Sequence, residues 1–426
     1  MLVDHLEDQF KPNREPRDVN FVYDVCYTIR DWLNAPTARE MIQIATPYEV
    51  KDLIKRLKVK KAPGHDSINN YTIKKLPDNC IAKITSIINA CLYHRYFPPS
   101  WKHAKIILLP KPDKDATKPE GYRPISLLSG FGKLYERIIF TRIKPHLHIL
   151  PHEQFGFRKS LSTTKQLVRL VEFCGDAIHK KQNVALLMLD VAKAFDRVWH
   201  EGLIYKLIQQ QMKRELIELI VSFITNRKFT VSVGQDLSTI RDIAAGVPQG
   251  SILCPILYLM YVADFPNPQR GDNYFMGCYA DDTALAVKSA NAKHAITKLQ
   301  DMMPNIEEWC TKWRISINAQ KSQLLIIRRK HRKVPIRKKL YLLGSEVPQV
   351  NNAKYLGVVL NDNLTWKDNT ANIRRKANGV INNLKPLLGK FSPLDLRRKR
   401  DYSLNPEDAE VRPLAAHLTR DSNFPT

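Results

Sequence analysis

The chain of 426 residues is 44% hydrophobic and 9% aromatic, enough apolar material for roughly two to three domain-sized units, which excludes wholesale disorder. A net charge of +25 points to a polyanionic partner, nucleic acid first and an anionic membrane surface second, yet no apolar run reaches the ~18 residues of a crossing helix. Seven cysteines with no C-x-x-C spacing argue against a disulfide framework, a zinc knuckle or an iron–sulfur site, and indicate reduced thiols in an intracellular protein.

Residues 1–45, with Pro12, Pro16 and Pro36, read as a loosely ordered lead-in, and Met1 to Glu7 has neither the basic region nor the apolar core of a secretory signal. Thr46-Pro47-Tyr48-Glu49 is a capping box with proline at the first helical position, and Val50, Leu53, Ile54 and Leu57 supply the apolar stripe behind it. A basic turn, Lys60 to Asp66, ends that helix. A helix is predicted over 80–96, a short strand over Ala104–Leu109, and a lysine-rich loop from Pro110 to Pro119 leads to Gly121-Tyr122-Arg123-Pro124-Ile125-Ser126. Helical patterns return over 132–149 and 163–180, separated by the turn Phe155-Gly156-Phe157-Arg158.

Val184 to Leu189 is continuously apolar, as in a strand buried on both faces, and it closes on Asp190, well placed for the rim of a cleft. Asp196 is expected to cap the helix carrying Val198, Leu203, Leu207 and Ile208. A β-rich stretch, Phe229 to Ile243, runs into the turn Ala245 to Ser251 and an apolar helix from Ile252 to Tyr261.

Met276 to Val287 then sets two adjacent carboxylates, Asp281 and Asp282, between two strand-forming runs. Neighbours on a regular strand face opposite ways, so both acids serve one site only where the strand turns. Two acids held close repel, and a divalent cation is one way to tolerate that; taken alone, the pair is equally a solvated hairpin turn. Beyond it, Ala290–Trp313 reads as a helix and Ile315–Ile327 as strand, turn and strand. Residues 328–339 hold eight Lys/Arg in twelve positions, the mark of a solvated connector, a phosphate contact or a nuclear address. Tyr355–Leu360 reads as a strand, and Ile373, Ala377, Ile381 and Leu384 stripe a helix that Pro386 ends. From Ser392 the chain turns polar, with Arg397-Arg398-Lys399-Arg400, and is expected to be poorly ordered.

If the strands carrying Asp190, Asp281 and Asp282 are neighbours, three carboxylates converge. Magnesium takes an octahedral oxygen shell with few protein carboxylates, leaving room for substrate phosphates. Two such ions ~3.5–4 Å apart activate an attacking hydroxyl and stabilise a leaving oxygen. In a basic chain this suits phosphoryl transfer to a nucleic-acid end better than glycoside hydrolysis.

Leu189-Asp190-Val191-Ala192-Lys193-Ala194-Phe195-Asp196, Gly246-Val247-Pro248-Gln249-Gly250-Ser251 and Tyr279-Ala280-Asp281-Asp282 stand in the order found in reverse transcriptases. Lys61-Ala62-Pro63-Gly64, Tyr122 to Leu128 and Tyr355-Leu356-Gly357 resemble the non-LTR retrotransposon enzymes, the jockey-like group above all, and fit that group better than a group II intron-type maturase. The resemblance covers about residues 45 to 390. It implies an α+β right-hand polymerase, with an antiparallel palm sheet packed on helices, helical and strand fingers and a truncated thumb. Fingers and the start of the palm would occupy 46–180, the palm 181–327, and a basic connector, a palm-edge strand and a partial thumb 328–390, before a divergent tail over 391–426. The reverse transcriptase domain overall would cover about 91–361.

By the same resemblance, Asp190 and Asp281 are the principal magnesium ligands and Asp282 supports them, with manganese as a substitute. Phe195 sits under the sugar and excludes a 2′-hydroxyl; without the family it would be read as a core aromatic. Lys111 and Arg123 hold the triphosphate, as guanidinium and ammonium groups can. Gln249 and Gly250 pack against nucleotide and template base, and Lys321 is a candidate proton donor near the pyrophosphate, or else a surface lysine. The partners implied are an RNA template, a DNA primer and deoxynucleoside triphosphates, in the nucleus or cytoplasm. The short lead-in has no room for an endonuclease and no ribonuclease H region follows. Hence a fragment is expected: either an RNA-directed DNA polymerase or an inactive relic that only binds nucleic acid.

Overall fold

The apolar run ahead of Asp190 forms the strand Asn183–Leu189, and every residue in it is buried. Its alternation divides the interior. Ala185, Leu187 and Leu189 face one core cluster, and Val184, Leu186 and Met188 face another built with Leu170, Cys174 and Ala177 of the helix Thr163–His179. Each large apolar side chain so covered contributes about 1.5–3 kcal/mol relative to exposure. The computed structural model describes residues 2–36, 40–111, 115, 117–234, 236–267, 271–328 and 338–385. The tail, Pro386 and all but the ends of the basic run 328–339 lie outside the described residues.

Asn183–Leu189 is the middle of a five-stranded sheet ordered Gln349–Val350, Gln323–Ile327, Asn183–Leu189, Asp282–Ser289, Tyr274–Tyr279. All its pairings are antiparallel except the two-residue edge strand, which runs parallel to Gln323–Ile327. A second sheet joins Tyr122–Leu127 antiparallel to Ala104–Pro110, which in turn lies parallel to Arg227–Val233. That pairing crosses the boundary expected at residue 180. Residues before and after it share one sheet, and Met1–Trp366 is one compact unit. The second unit starts at Lys367, and its described part is the helix Lys367–Leu384, which carries the predicted stripe. The architecture is α+β, as expected.

The lead-in is not loosely ordered. Leu2–Gln9 and Val19–Asn34 are helices, the second capped by Asp18, whose carboxylate accepts from the Phe21 amide at 3.0 Å. Leu6 and Phe10 join a core with Ile106, Phe229 and Val231, while Val25 and Ile29 enter the main core. Pro12, Pro16 and Pro36 misled because they fall between and after the helices, where proline costs nothing. The helix expected over 290–313 is two, Ala292–Gln300 and Met303–Trp313, with Pro304 in the first turn of the second. The strand expected over 355–360 is a hairpin: Asn352–Tyr355 pairs with Val358–Asn361, and Leu356 (φ 46°) and Gly357 (φ 89°) supply the two left-handed residues of its turn.

Thr46 caps the helix Pro47–Lys55 as predicted, accepting from the Glu49 amide at 3.1 Å, but the Glu49 carboxylate pairs with Arg142 at 2.7 Å. All seven cysteines are unpaired, and five are buried. Among the described residues no helix is long and apolar enough to cross a membrane.

Candidate active site

Register brings the three aspartates together. Leu189 pairs with Thr283 across the central sheet, so Asp190, one residue on, lies beside Asp282. Tyr279 pairs with Asp282, which leaves Ala280 and Asp281 as the two-residue turn, with Ala280 in the left-handed region at φ 58°. The turn breaks the strand alternation, and that is how adjacent acids come to share one end of the sheet.

Electrostatics register the crowding. Asp282 has its pKa pushed up to about 6, by burial first and then by the charges of Asp281 and Asp190. Asp281 is raised by burial and by Asp190. Asp190 is raised by partial burial, against which the charge of Lys321 works. Lys321 owes its place to a turn bonded to Asp190: the Asn318 amide donates to the Asp190 carbonyl at 2.8 Å, and the Asp190 amide donates to Ser322 Oγ at 3.1 Å. A cavity of about 430 Å³ opens here, lined among others by Asp190, Asp282, Lys321, Lys354 and Tyr355.

The Asp281 turn is gripped from behind by Gln154, which is buried. Its Oε1 accepts from the amides of Ala280 and Gly156, both at 2.9 Å, and Nε2 donates to the Ala280 carbonyl at 3.5 Å. The Phe155 amide donates to the Cys278 carbonyl at 2.8 Å, and the Cys278 amide to the Glu153 carbonyl at 2.9 Å. Gly156 passes so close that a Cβ on it would lie 2.4 Å from the Ala280 nitrogen.

Phe195 is partly buried, its ring centroid 4.4 Å from Tyr258 and 6.4 Å, edge-on, from Phe157. Tyr258 comes from the apolar helix, observed over Cys254–Tyr261, and its hydroxyl pKa is raised by burial and by the charge of Asp281. The amide of Val247 donates to the Phe195 carbonyl at 2.8 Å, which ties the Gln249 turn to Phe195.

Asp196 does not cap a helix. The helix begins at His200 with Trp199 at its N-cap and no side-chain cap bond. Asp196 is instead buried, accepting from Gln249 Nε2 at 2.9 Å and from Gln9 Nε2 at 2.8 Å. Burial lifts its pKa to about 6 against the pull of those two bonds. Gly250 has φ 113°, and a Cβ there would meet the Ser126 carbonyl oxygen at 2.7 Å; the Ser126 amide donates to the Gln249 carbonyl at 3.0 Å.

Arg123 is exposed on the strand Tyr122–Leu127, opposite Leu109. Lys111 lies just past that pairing: its amide donates to the Gly121 carbonyl at 2.7 Å and its Nζ to the Glu120 carbonyl at 2.8 Å. Lys111 also lies within electrostatic reach of Asp196. Thus Asp190, Asp281, Asp282 and Lys321 form one group, Phe195 and Gln249 a second that Tyr258 links to Asp281, and Lys111 and Arg123 share one hairpin whose strand holds the Gln249–Gly250 turn. Sequence reasoning missed Gln154, Gln9 and Tyr258. Gln154 had a faint signal, standing just before the Phe155-Gly156-Phe157 turn, whereas Gln9 had none.

Mutually repelling carboxylates, raised in pKa, are a hard-oxygen donor set that a divalent cation would relieve. Among the described residues no three His, Cys, Asp or Glu side chains converge tightly enough to enclose an ion by themselves. The fit is therefore to a cation held by one or two carboxylates that takes its other oxygens from substrate and water, as magnesium-type ions do, and not to a closed protein cage.

The family model for reverse transcriptase (RNA-dependent DNA polymerase) matches residues 109–360. The chain is 38% identical over 401 residues to a probable RNA-directed DNA polymerase from transposon X-element of Drosophila melanogaster, covering 93% of this chain and 43% of that protein. It is 38% identical over 359 residues to the RNA-directed DNA polymerase from mobile element jockey of Drosophila funebris, covering 82% and 39%. To the probable RNA-directed DNA polymerase from transposon BS of Drosophila melanogaster it is 36% identical over 360 residues, covering 83% and 40%. The chain spans about two fifths of the length of these curated relatives. Reverse transcriptases as a family use divalent metal ions. On these matches the chain belongs to the reverse transcriptase (RNA-dependent DNA polymerase) family.

Proposed function

We propose that this chain is an RNA-directed DNA polymerase that extends a primer 3′-hydroxyl with deoxynucleoside triphosphates on an RNA template. The observation that carries the reading is the convergence of Asp190, Asp281 and Asp282 at one end of the central sheet, beside the Phe195–Gln249 group. Asp190 and Asp281 would hold Mg²⁺, two ions in the working complex, with Asp282 in support and Mn²⁺ as a substitute. When bound, the ions supply charge neutralisation and activation of the attacking hydroxyl.

The chain's own groups do the rest. Phe195, packed against Tyr258, would reject an added 2′-hydroxyl by clash. Gln249 and Gly250 form the floor on which nucleotide and template base rest, and glycine lets the backbone approach. Arg123 and Lys111 contact the triphosphate, the first as a fork and the second as a point charge. Lys321, beside Asp190, donates a proton to the leaving pyrophosphate. A chain of net charge +25 retains primer and template electrostatically, and such partners place it inside the cell, in nucleus or cytoplasm.

The test is primer extension on an RNA template with magnesium, comparing wild type with the double variant Asp281→Asn, Asp282→Asn. Incorporation by wild type and its loss by at least ~10³-fold in the variant are expected. Equal incorporation by both would sink the site. No incorporation by either, with salt-sensitive RNA binding kept, would leave a nucleic-acid-binding remnant.

A further inference from the structure

Asp196 is a buried carboxylate with two glutamine partners, one 187 residues before it in the chain and one 53 residues after it. Oδ1 takes the Nε2 of Gln249, and Oδ2 takes the Nε2 of Gln9, the last residue of the helix Leu2–Gln9. Leu6 and Gln9 are the buried residues of this helix, and Leu6 joins an apolar cluster with Phe10. A hydrophobic side chain would dock this helix better, because a buried amide costs free energy unless it is hydrogen-bonded. The amide is therefore better explained by its bond than by packing.

The segment behind Gln9 is strapped down independently. The Phe10 carbonyl accepts from the amides of Ala244 and Ala245 at 3.1 and 2.7 Å, immediately before the turn that carries Gln249. Asn13 accepts from Arg197 at 2.7 Å and donates to the Arg314 carbonyl at 2.8 Å.

We propose that Gln9 is a positioning residue of the nucleotide pocket: through Asp196 it fixes the side chain of Gln249. The inference rests on the polymerase reading above. With both oxygens engaged, the carboxylate cannot turn about its terminal bond, and its charged form, which burial opposes, is held by two donors. Without Gln9, Asp196 is free to rotate and to take up a proton, and Gln249 loses its fixed acceptor. The N-terminal helix thereby becomes a working part of the pocket.

The experiment is steady-state primer extension with the full chain, varying one deoxynucleoside triphosphate at a time, alongside thermal melting. Four proteins join wild type: Gln9→Ala, Gln249→Ala, the two combined, and Asn13→Ala, which loosens the strap without touching Asp196. Gln9→Ala is expected to raise the nucleotide KM roughly fivefold to tenfold, with kcat little changed. The effect should vanish in the Gln249→Ala background, as expected for residues acting in one line. Asn13→Ala should lower Tm about as much and leave KM alone. An unchanged KM in Gln9→Ala, an equal rise in Asn13→Ala, or multiplying effects in the double variant would each overturn the proposal while leaving the polymerase reading intact. A wild type that extends no primer removes that reading and this inference together.

Discussion

Gln154 holds Ala280 at both ends of its residue, accepting from the amide at 2.9 Å and donating to the carbonyl at 3.5 Å. Ala280 is the left-handed residue just before Asp281, so this one buried amide sets the direction in which Asp281 leaves the turn. Gln154→Ala leaves the Ala280 and Gly156 amides without that acceptor, at a cost of about 1–3 kcal/mol in stability. The expected kinetic signature is a fall in kcat of at least ~10-fold with nucleotide KM little changed, because a small displacement of a reacting group is expensive. Single-turnover extension at saturating nucleotide checks this. A kcat within twofold of wild type would show that the turn keeps its shape without Gln154.

Crowded carboxylates make the site a source of instability that acid relieves. The pKa of Asp282 is about 6 in the fold, against an ordinary value near 3.8. A proton is thus bound more tightly in the folded state. The stability it contributes is fully present below about pH 4 and is lost as pH rises through about 6. At pH 7.5, therefore, Asp282→Asn should raise the Tm of the metal-free protein while it weakens polymerisation. Added Mg²⁺ or Mn²⁺ should raise the Tm of wild type and do less for the variant. Extension by wild type should fall as pH drops, because protons compete with the cation for the carboxylates, whose pKa values are all raised. Melting curves between pH 4.5 and 8 decide it, and a lowered Tm for Asp282→Asn at pH 7.5 would refute the account.

The ring centroid of Phe195 lies 4.4 Å from that of Tyr258, and Phe157 meets it edge-on, so both neighbours restrict its movement. Phe195→Val removes the ring while keeping an apolar side chain. Ribonucleotide incorporation relative to deoxynucleotide should rise by at least ~10-fold, the scale on which a shape-based pocket discriminates. Competition between the two nucleotide types on one primer measures this, and an unaltered ratio would show that Phe195 is core and not gate.

Sequence alone was sufficient for the features that depend on neighbours along the chain. A short, continuous apolar run is the signature of a strand covered on both faces, and Asn183–Leu189 is one. Thr46 ahead of Pro47 marked a helix start, and the Asp281-Asp282 pair between two β-runs marked a turn. The family motifs carried the candidate residues to named positions. What sequence could not supply was whatever depends on which distant segments touch. Asp196 sits where a helix cap would sit by spacing, and only the arrival of Gln9 and Gln249 makes it a buried anchor. The lead-in read as loose because its prolines are visible locally, whereas the core that orders its helices is assembled from residues far along the chain. Gln154 is one polar residue among many until the sheet brings Ala280 against it. The physical reason is the range of the forces involved: propensity and capping act within a turn or two, but burial and hydrogen-bond satisfaction are settled only when the whole chain has chosen its neighbours.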